Sequence, residues 1–201
     1  MQQGFLTGIE PLRPLLYPGE NWFFALRVPQ QAAERIHDLA FRLRNQHNLR
    51  GEPFPLWQYH VSLQGLMPQP LRNESWLTAG LRAGGSVRAA PFSVQFDRVV
   101  TLPGGSREAS RRSACVLTAS GDGDLGVRLL RNLLGTSMKT ANLKGASLGR
   151  FLPHVSMLYD EVRVPQYGVE PIRWTATEFV LIHRPERGAK YEQFESWPLE
   201  A

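Results

Sequence analysis

The tripeptide His-Val-Ser occurs twice, in "QYHVSLQGL" at His60-Val61-Ser62 and in "LPHVSMLYD" at His154-Val155-Ser156, in a chain with only five histidines. Each copy is preceded by the same series of elements. "NWFFALRVP" is a compact apolar run ending at Pro29 and reads as a buried strand. Ala32, Ala33, Ile36, Leu39, Ala40 and Leu43 then recur at spacings of three and four, the stripe of an amphipathic helix that Gly51 and Pro53 would close. The first His-Val-Ser follows in a strand that begins near Leu56. The second half restarts with "SACVLTA" as a strand. A helix follows, with Leu125, Leu129, Leu130, Leu133, Leu134 and Met138 as its apolar positions and Asp122 or Asp124 as N-cap. Then comes the second His-Val-Ser strand. Phe24 to His60 is 36 residues and Val116 to His154 is 38. Matched intervals of this kind predict an internal structural repeat, with halves at about 22–100 and 113–160.

Between and after these elements the pattern is less regular. A second helix is predicted over Leu71 to Leu81. "PFSVQFDRVV" alternates Phe92, Val94 and Phe96 as a half-buried strand, and "ATEFVLIHRP" and "AKYEQFESWPL" form a C-terminal hairpin over 177–199 through the turn "ERG". His37 and His47 lie off the helical stripe and read as solvated. Trp174 and Trp197 read as core anchors. Residues 1–20 are proline-rich and read as an extended arm outside a single domain spanning 21–201.

The chain of 201 residues is long enough for one sizeable core. No apolar run approaches the roughly 20 residues that span a bilayer, and the N-terminus lacks the basic-then-apolar pattern of a signal peptide. The single cysteine, Cys115, sits in "ACVLTA" and excludes an internal disulfide framework. It reads as a buried thiol in a reducing, cytoplasmic setting. The net charge of +5 favours phosphate-bearing partners. Its densest basic stretch, "SREASRR" at 106–112, reads as a solvated hairpin loop.

In a strand, residues two apart share a face. His60 therefore projects with Ser62, and His154 with Ser156, while Val61 and Leu63 point the other way. If the two halves face one another, two imidazoles and two hydroxyls surround one small anion. With ordinary pKa values near 6.5, one imidazole can take a proton from a nucleophile while the other gives one to a leaving oxygen. The serine hydroxyls can donate to non-bridging oxygens as charge builds there. The bland alternative, two strand histidines hydrogen-bonded in a core, explains one copy better than it explains a matched pair. Two histidines are too few for a closed zinc site. The glycine-rich "GDGDLG" lacks the Lys-Ser/Thr ending of a phosphate loop, and there is no Gly-x-Ser-x-Gly elbow.

These motifs resemble those of the two-histidine phosphoesterase superfamily, and within it the bacterial 2′-5′ RNA ligase-like group, also called RNA 2′,3′-cyclic phosphodiesterases. "FFALRVP" is similar to that family's opening strand, "PHVSM" to its second motif and "FVLIHRPERGAKYEQFESWPL" to its closing hairpin. Both motifs carry serine where the family more often has threonine. The resemblance implies a bilobal α+β fold, with two pseudo-symmetric antiparallel sheets flanked by helices around a central cleft. It implies metal-independent opening of 2′,3′-cyclic phosphate at RNA or oligonucleotide ends to a 2′-phosphate, with reversible 2′-5′ ligation in some members. His60 would be the proton donor, His154 the proton acceptor, and Ser62 and Ser156 the phosphate ligands. Arg150, Tyr59, Phe151 and Tyr159 are further candidates for substrate contact. No cofactor and no metal are expected. The expected partners are RNA ends or small cyclic nucleotides, met by a monomer. A non-catalytic module that holds an RNA end or nucleotide in the same cleft is the competing reading.

Overall fold

In the computed structural model the described residues are 21–69, 71, 74–102, 112–148, 151–185 and 190–200. The arm at 1–20, Arg150, the turn "ERG" and all but the last residue of the 106–112 loop lie outside them. The elements in chain order are β1 (Asn21–Arg27), α1 (Gln30–Gln46), β2 (His60–Leu66), α2 (Trp76–Gly85), β3 (Phe92–Leu102), β4 (Ser113–Thr118), α3 (Leu125–Thr140), β5 (His154–Asp160), β6 (Tyr167–Ala176), β7 (Glu178–Arg184) and β8 (Glu192–Pro198). The class is α+β. Among the described residues all strand pairings are antiparallel, including β1–β2 and β4–β5, which are each joined through a helix. Among the described residues, no helix is long and apolar enough to cross a membrane.

The strands form one eight-stranded sheet in the order β6-β3-β4-β5-β2-β1-β7-β8, where the family resemblance implied two. The physical reason sits at its centre. β2 and β5 are hydrogen-bonded neighbours, through the single residue pair Val61↔Val155. The outer ladders of these two strands match closely. Leu26↔Val61 and Arg27↔His60 on one side correspond to Leu117↔Val155 and Thr118↔His154 on the other. Each ladder shifts register directly after the motif serine. The shift leaves Leu63 extra in β2 and Met157 extra in β5.

One cluster of buried side chains runs under the sheet and takes in all three helices. α1 buries the six residues its spacing predicts. It ends at Gln46, earlier than Gly51, with Asn48 at φ 50° making the exit. α2 starts at Trp76 rather than near Leu71, because Ser75 caps it by accepting from the Thr78 N–H at 3.0 Å. In α3 the buried apolar stripe is Val127, Leu130, Leu134 and Met138, while Leu125, Leu129 and Leu133 face outward. Asp124 precedes the first turn of α3 without capping it, and pairs instead with Arg128 at 2.8 Å. His37 and His47 are half-buried rather than solvated. His37 Nδ1 lies 3.0 Å from the Phe54 carbonyl and 3.2 Å from the Tyr59 hydroxyl. β6 has no counterpart in the sequence reading. Gly168 and Pro171 disguise it, yet proline is tolerated on an edge strand such as this one.

Asp160, at the end of β5, fastens the chain that leaves α1 to the strand that carries the second motif. Its Oδ2 accepts the Arg50 and Gly51 N–H groups at 2.6 Å each, and its Oδ1 accepts the Val162 N–H at 2.8 Å. Gly51 has to be glycine for this close approach, since a Cβ there would lie 2.1 Å from the Tyr159 carbonyl oxygen. Burial pushes the Asp160 carboxyl up, but the backbone bonds outweigh it and hold the group below the usual carboxylate range. Its stabilising contribution is therefore complete above the unfolded value near 4 and is lost as pH falls through the lower folded value. Asp160→Asn should destabilise the fold by about 1.5–3 kcal/mol at pH 7. The gap to wild type should narrow in denaturation curves taken below about pH 4.

Candidate active site

The Val61↔Val155 pair sets the site. With these two residues opposite each other on antiparallel strands, Ser62 falls opposite His154, and His60 opposite Ser156. Directly opposed residues have Cβ atoms about 4.5–5.5 Å apart, and the diagonal His60–His154 pair about 7–8 Å. The valines point into the core, fully buried. The four polar side chains point the other way and line one cavity of about 770 Å³. The motifs thus lie side by side on the two central strands of one sheet.

Both histidines are held in the same way. His60 Nδ1 is 2.7 Å from the Gln58 carbonyl, and His154 Nδ1 is 2.8 Å from the Leu152 carbonyl. A carbonyl can only accept, so each Nδ1 carries a proton, and in the neutral ring Nε2 is the free acceptor. Their surroundings differ. The His60 ring lies against Phe23 at 5.1 Å and Tyr191 at 5.4 Å. Burial pushes the His60 imidazole down to about 4; the Gln58 carbonyl opposes this, and the charges of His154, Arg27 and Arg184 add to it. On the other side, Tyr159 packs edge-on against Phe54 at 5.6 Å, and the Arg131 guanidinium sits 4.3 Å above the centre of the Phe151 ring.

The cavity is built to receive negative charge. Arg131 and Arg184 both line it, and none of its lining residues among those described is acidic. Gln64 joins its walls: Nε2 donates to the Arg131 carbonyl at 3.1 Å and to the Ser147 carbonyl at 2.7 Å, and Oε1 accepts the Ser147 N–H at 2.9 Å. Gly135 leaves room for that amide, since a Cβ there would come within 2.6 Å of Gln64 Nε2.

Of the residues singled out from sequence, His60, Ser62, His154, Ser156, Phe151 and Tyr159 come together here. Tyr59 does not. It is 2 % exposed, bonded to His37, and burial raises its phenol pKa. Arg150 is outside the described residues. Cys115 is buried as expected, its thiol pushed up to about 12, mainly by burial and further by Asp160. Sequence reasoning passed over Arg131, Gln64, Arg184, Phe23 and Tyr191. Arg131 did leave a signal, as a lone cation inside the apolar stripe of α3 between Val127 and Leu134.

Two histidines presented from paired strands, with hydroxyls beside them and cations around them, are the arrangement expected of the two-histidine phosphoesterase superfamily. The model of the 2′-5′ RNA ligase superfamily matches residues 28–188, and the chain belongs to that superfamily. Solved structures with the same fold include TT0787 of Thermus thermophilus, with a TM-score of 0.65 and 20 % identity over 89 % of this chain and 97 % of that one. Escherichia coli LigT complexed with NADP+ has a TM-score of 0.64 and 22 % identity over 91 % and 99 %. LigT complexed with 3′-AMP has a TM-score of 0.65 and 23 % identity over 92 % and 100 %. No curated protein matches the chain.

The depressed His60 value has a measurable consequence. Unfolded, the imidazole titrates near 6.5, so between about pH 6.5 and pH 4 the unfolded chain binds the extra proton. Stability should rise with pH across that window, and His60→Asn should flatten the rise in urea titrations. In NMR titration the His60 ring should protonate near 4 in the free protein. Its midpoint should move upward when inorganic phosphate is added, because an anion in the cavity favours the charged ring.

Proposed function

We propose that the protein is a metal-independent phosphodiesterase that opens 2′,3′-cyclic phosphate at RNA or oligonucleotide ends to a 2′-phosphate. The observation that carries this reading is the matched pair of histidines. Each is tautomer-locked by the carbonyl two residues before it, and each has the other motif's serine across the strand pair. The nucleotides bound in the LigT structures, 3′-AMP and NADP+, fit the same substrate class.

The chemistry needs two proton transfers around one phosphorus. A neutral imidazole takes a proton from water through Nε2 as its oxygen attacks. The P–O3′ bond breaks, and the second imidazole, protonated, delivers its Nε2 proton to the leaving 3′-oxygen. The products are a 2′-phosphate and a free 3′-hydroxyl. Ser62 and Ser156 donate to the non-bridging oxygens, and Arg131 and Arg184 balance the charge. With a 5′-hydroxyl in place of water as the nucleophile, the same forward steps join RNA ends through a 2′-5′ bond, and their reverse cleaves that bond. Family resemblance assigns the donor role to His60. In the free protein that ring is neutral at pH 7, so the donor form arises when the anionic substrate enters and raises its proton affinity. The two halves of the sheet on either side of the β2–β5 junction act as the two lobes that meet the phosphate.

The test is a short RNA ending in a 2′,3′-cyclic phosphate, incubated with excess EDTA. Wild type should yield a 2′-phosphate. His60→Ala and His154→Ala should each lose about 10²–10⁴-fold in kcat, and Ser62→Ala and Ser156→Ala about 10²–10³-fold. Chelator-sensitive turnover would overturn metal independence. Tight binding without turnover would establish the competing binding module.

A further inference from the structure

The turn that supplies the carbonyl partner of His60 also exposes a tryptophan. Trp57 is the middle residue of the 3₁₀ turn Leu56–Gln58 and is 37 % exposed. Its carbonyl accepts from Arg27 Nη2 at 3.2 Å, which fixes the turn against β1. Tyr191 meets Trp57 edge-on, with ring centres 5.9 Å apart, and meets His60 at 5.4 Å. A path of rings therefore runs outward from the cavity in two steps. Beyond it lies a groove of about 390 Å³ bordered by Arg27, Val28, Leu56 and Trp57.

The charge along this path is positive. Lys190 Nζ lies 5.9 Å from the centre of the Trp57 ring. Arg27 borders the groove and pairs across the ladder with His60. Among the described residues, none that lines the groove is acidic. A half-exposed indole with Lys190 near its ring and Arg27 on its carbonyl, joined to the site through Tyr191 and His60, has the composition of a single-strand stacking platform. Any base can stack on the ring while the cations meet the backbone.

We propose that this groove takes the nucleotide preceding the reacting one in a single-stranded RNA, its base on Trp57 and its linking phosphate between Arg27 and Lys190. The natural substrate is then an oligonucleotide end rather than a cyclic mononucleotide. This rests on the hydrolase reading above and adds a second subsite to it. The groove supplies no catalytic group. It holds the strand so that the terminal cyclic phosphate falls on the two histidines.

The experiment compares kcat/KM for a nucleoside 2′,3′-cyclic phosphate and for a tetranucleotide ending in the same group, in wild type, Trp57→Ala and Trp57→Phe. Wild type should prefer the tetranucleotide. Trp57→Ala should cut that preference by roughly 5- to 100-fold, the range of one base–aromatic stack, and Trp57→Phe should restore most of it. An equal fall on both substrates, or on neither, would overturn the subsite, and the tryptophan would then only shape the Gln58 turn. Turnover of neither substrate by wild type would sink the hydrolase reading and leave the platform to fluorescence. A non-hydrolysable tetranucleotide should quench wild type more than Trp57→Phe, and equal quenching would overturn the platform too.

Discussion

One residue pair carries the architecture. Val61 and Val155 are the point at which the two central strands hydrogen-bond, and both side chains are fully buried. Because a strand alternates faces with a period of two, burying the valines forces the histidine and serine on either side of each valine toward the cavity. The antiparallel sense then crosses them, so each histidine meets the other motif's serine. A shift of one residue in either strand would turn the histidines into the core and the valines into the cavity. Register here is therefore protected by the hydrophobic effect, and the polar site is held by apolar residues behind it.

The register shifts after each motif add a second constraint. An extra residue in a strand bends it and increases its local twist, and such bulges are common beside active sites. Leu63 and Met157 occupy the same place in the two motifs, and both are buried. Past the bulge the two strands diverge in content. Gln64 corresponds to Leu158, and Gly65 to Tyr159. Gln64 ties β2 to α3 and to Ser147, whereas Leu158 is plain core. Gly65 leaves open space above β2, whereas Tyr159 raises a wall above β5. The repeated scaffold thus presents the same polar atoms in two different walls.

How much of this was legible in the sequence follows from which signals are local. The motifs, α1 and the C-terminal hairpin were readable because periodicity and turn residues act within a few positions. The two sheets implied by the family resemblance went uncorrected because nothing local states that β2 and β5 pair; a single bridge makes that contact. β6 was hidden by Pro171, which a central strand would reject and an edge strand accepts. In α3, six leucine and methionine positions fitted a helical stripe too broadly, and the core selected Val127 along with only three of them. Tyr59 was a candidate contact because an aromatic ring can stack on a base, but the same alternation that exposes His60 buries its neighbour.

The asymmetry of the walls bears on how one motif would serve the two proposed roles. General acid–base catalysis needs two groups whose proton affinities differ, and enzymes obtain that difference from environment rather than from residue type. Here residue type and tautomer are the same at both positions, so environment is what remains. His60 lies between Phe23 and Tyr191, within range of Arg27 and Arg184, and its proton affinity in the free protein is low. Those groups disfavour a proton only while no counter-charge stands beside them. On the proposed function an entering phosphate would reverse the balance, because it would neutralise the arginines and bond the ring. In the proposed reaction the site's acid is thus made by its substrate.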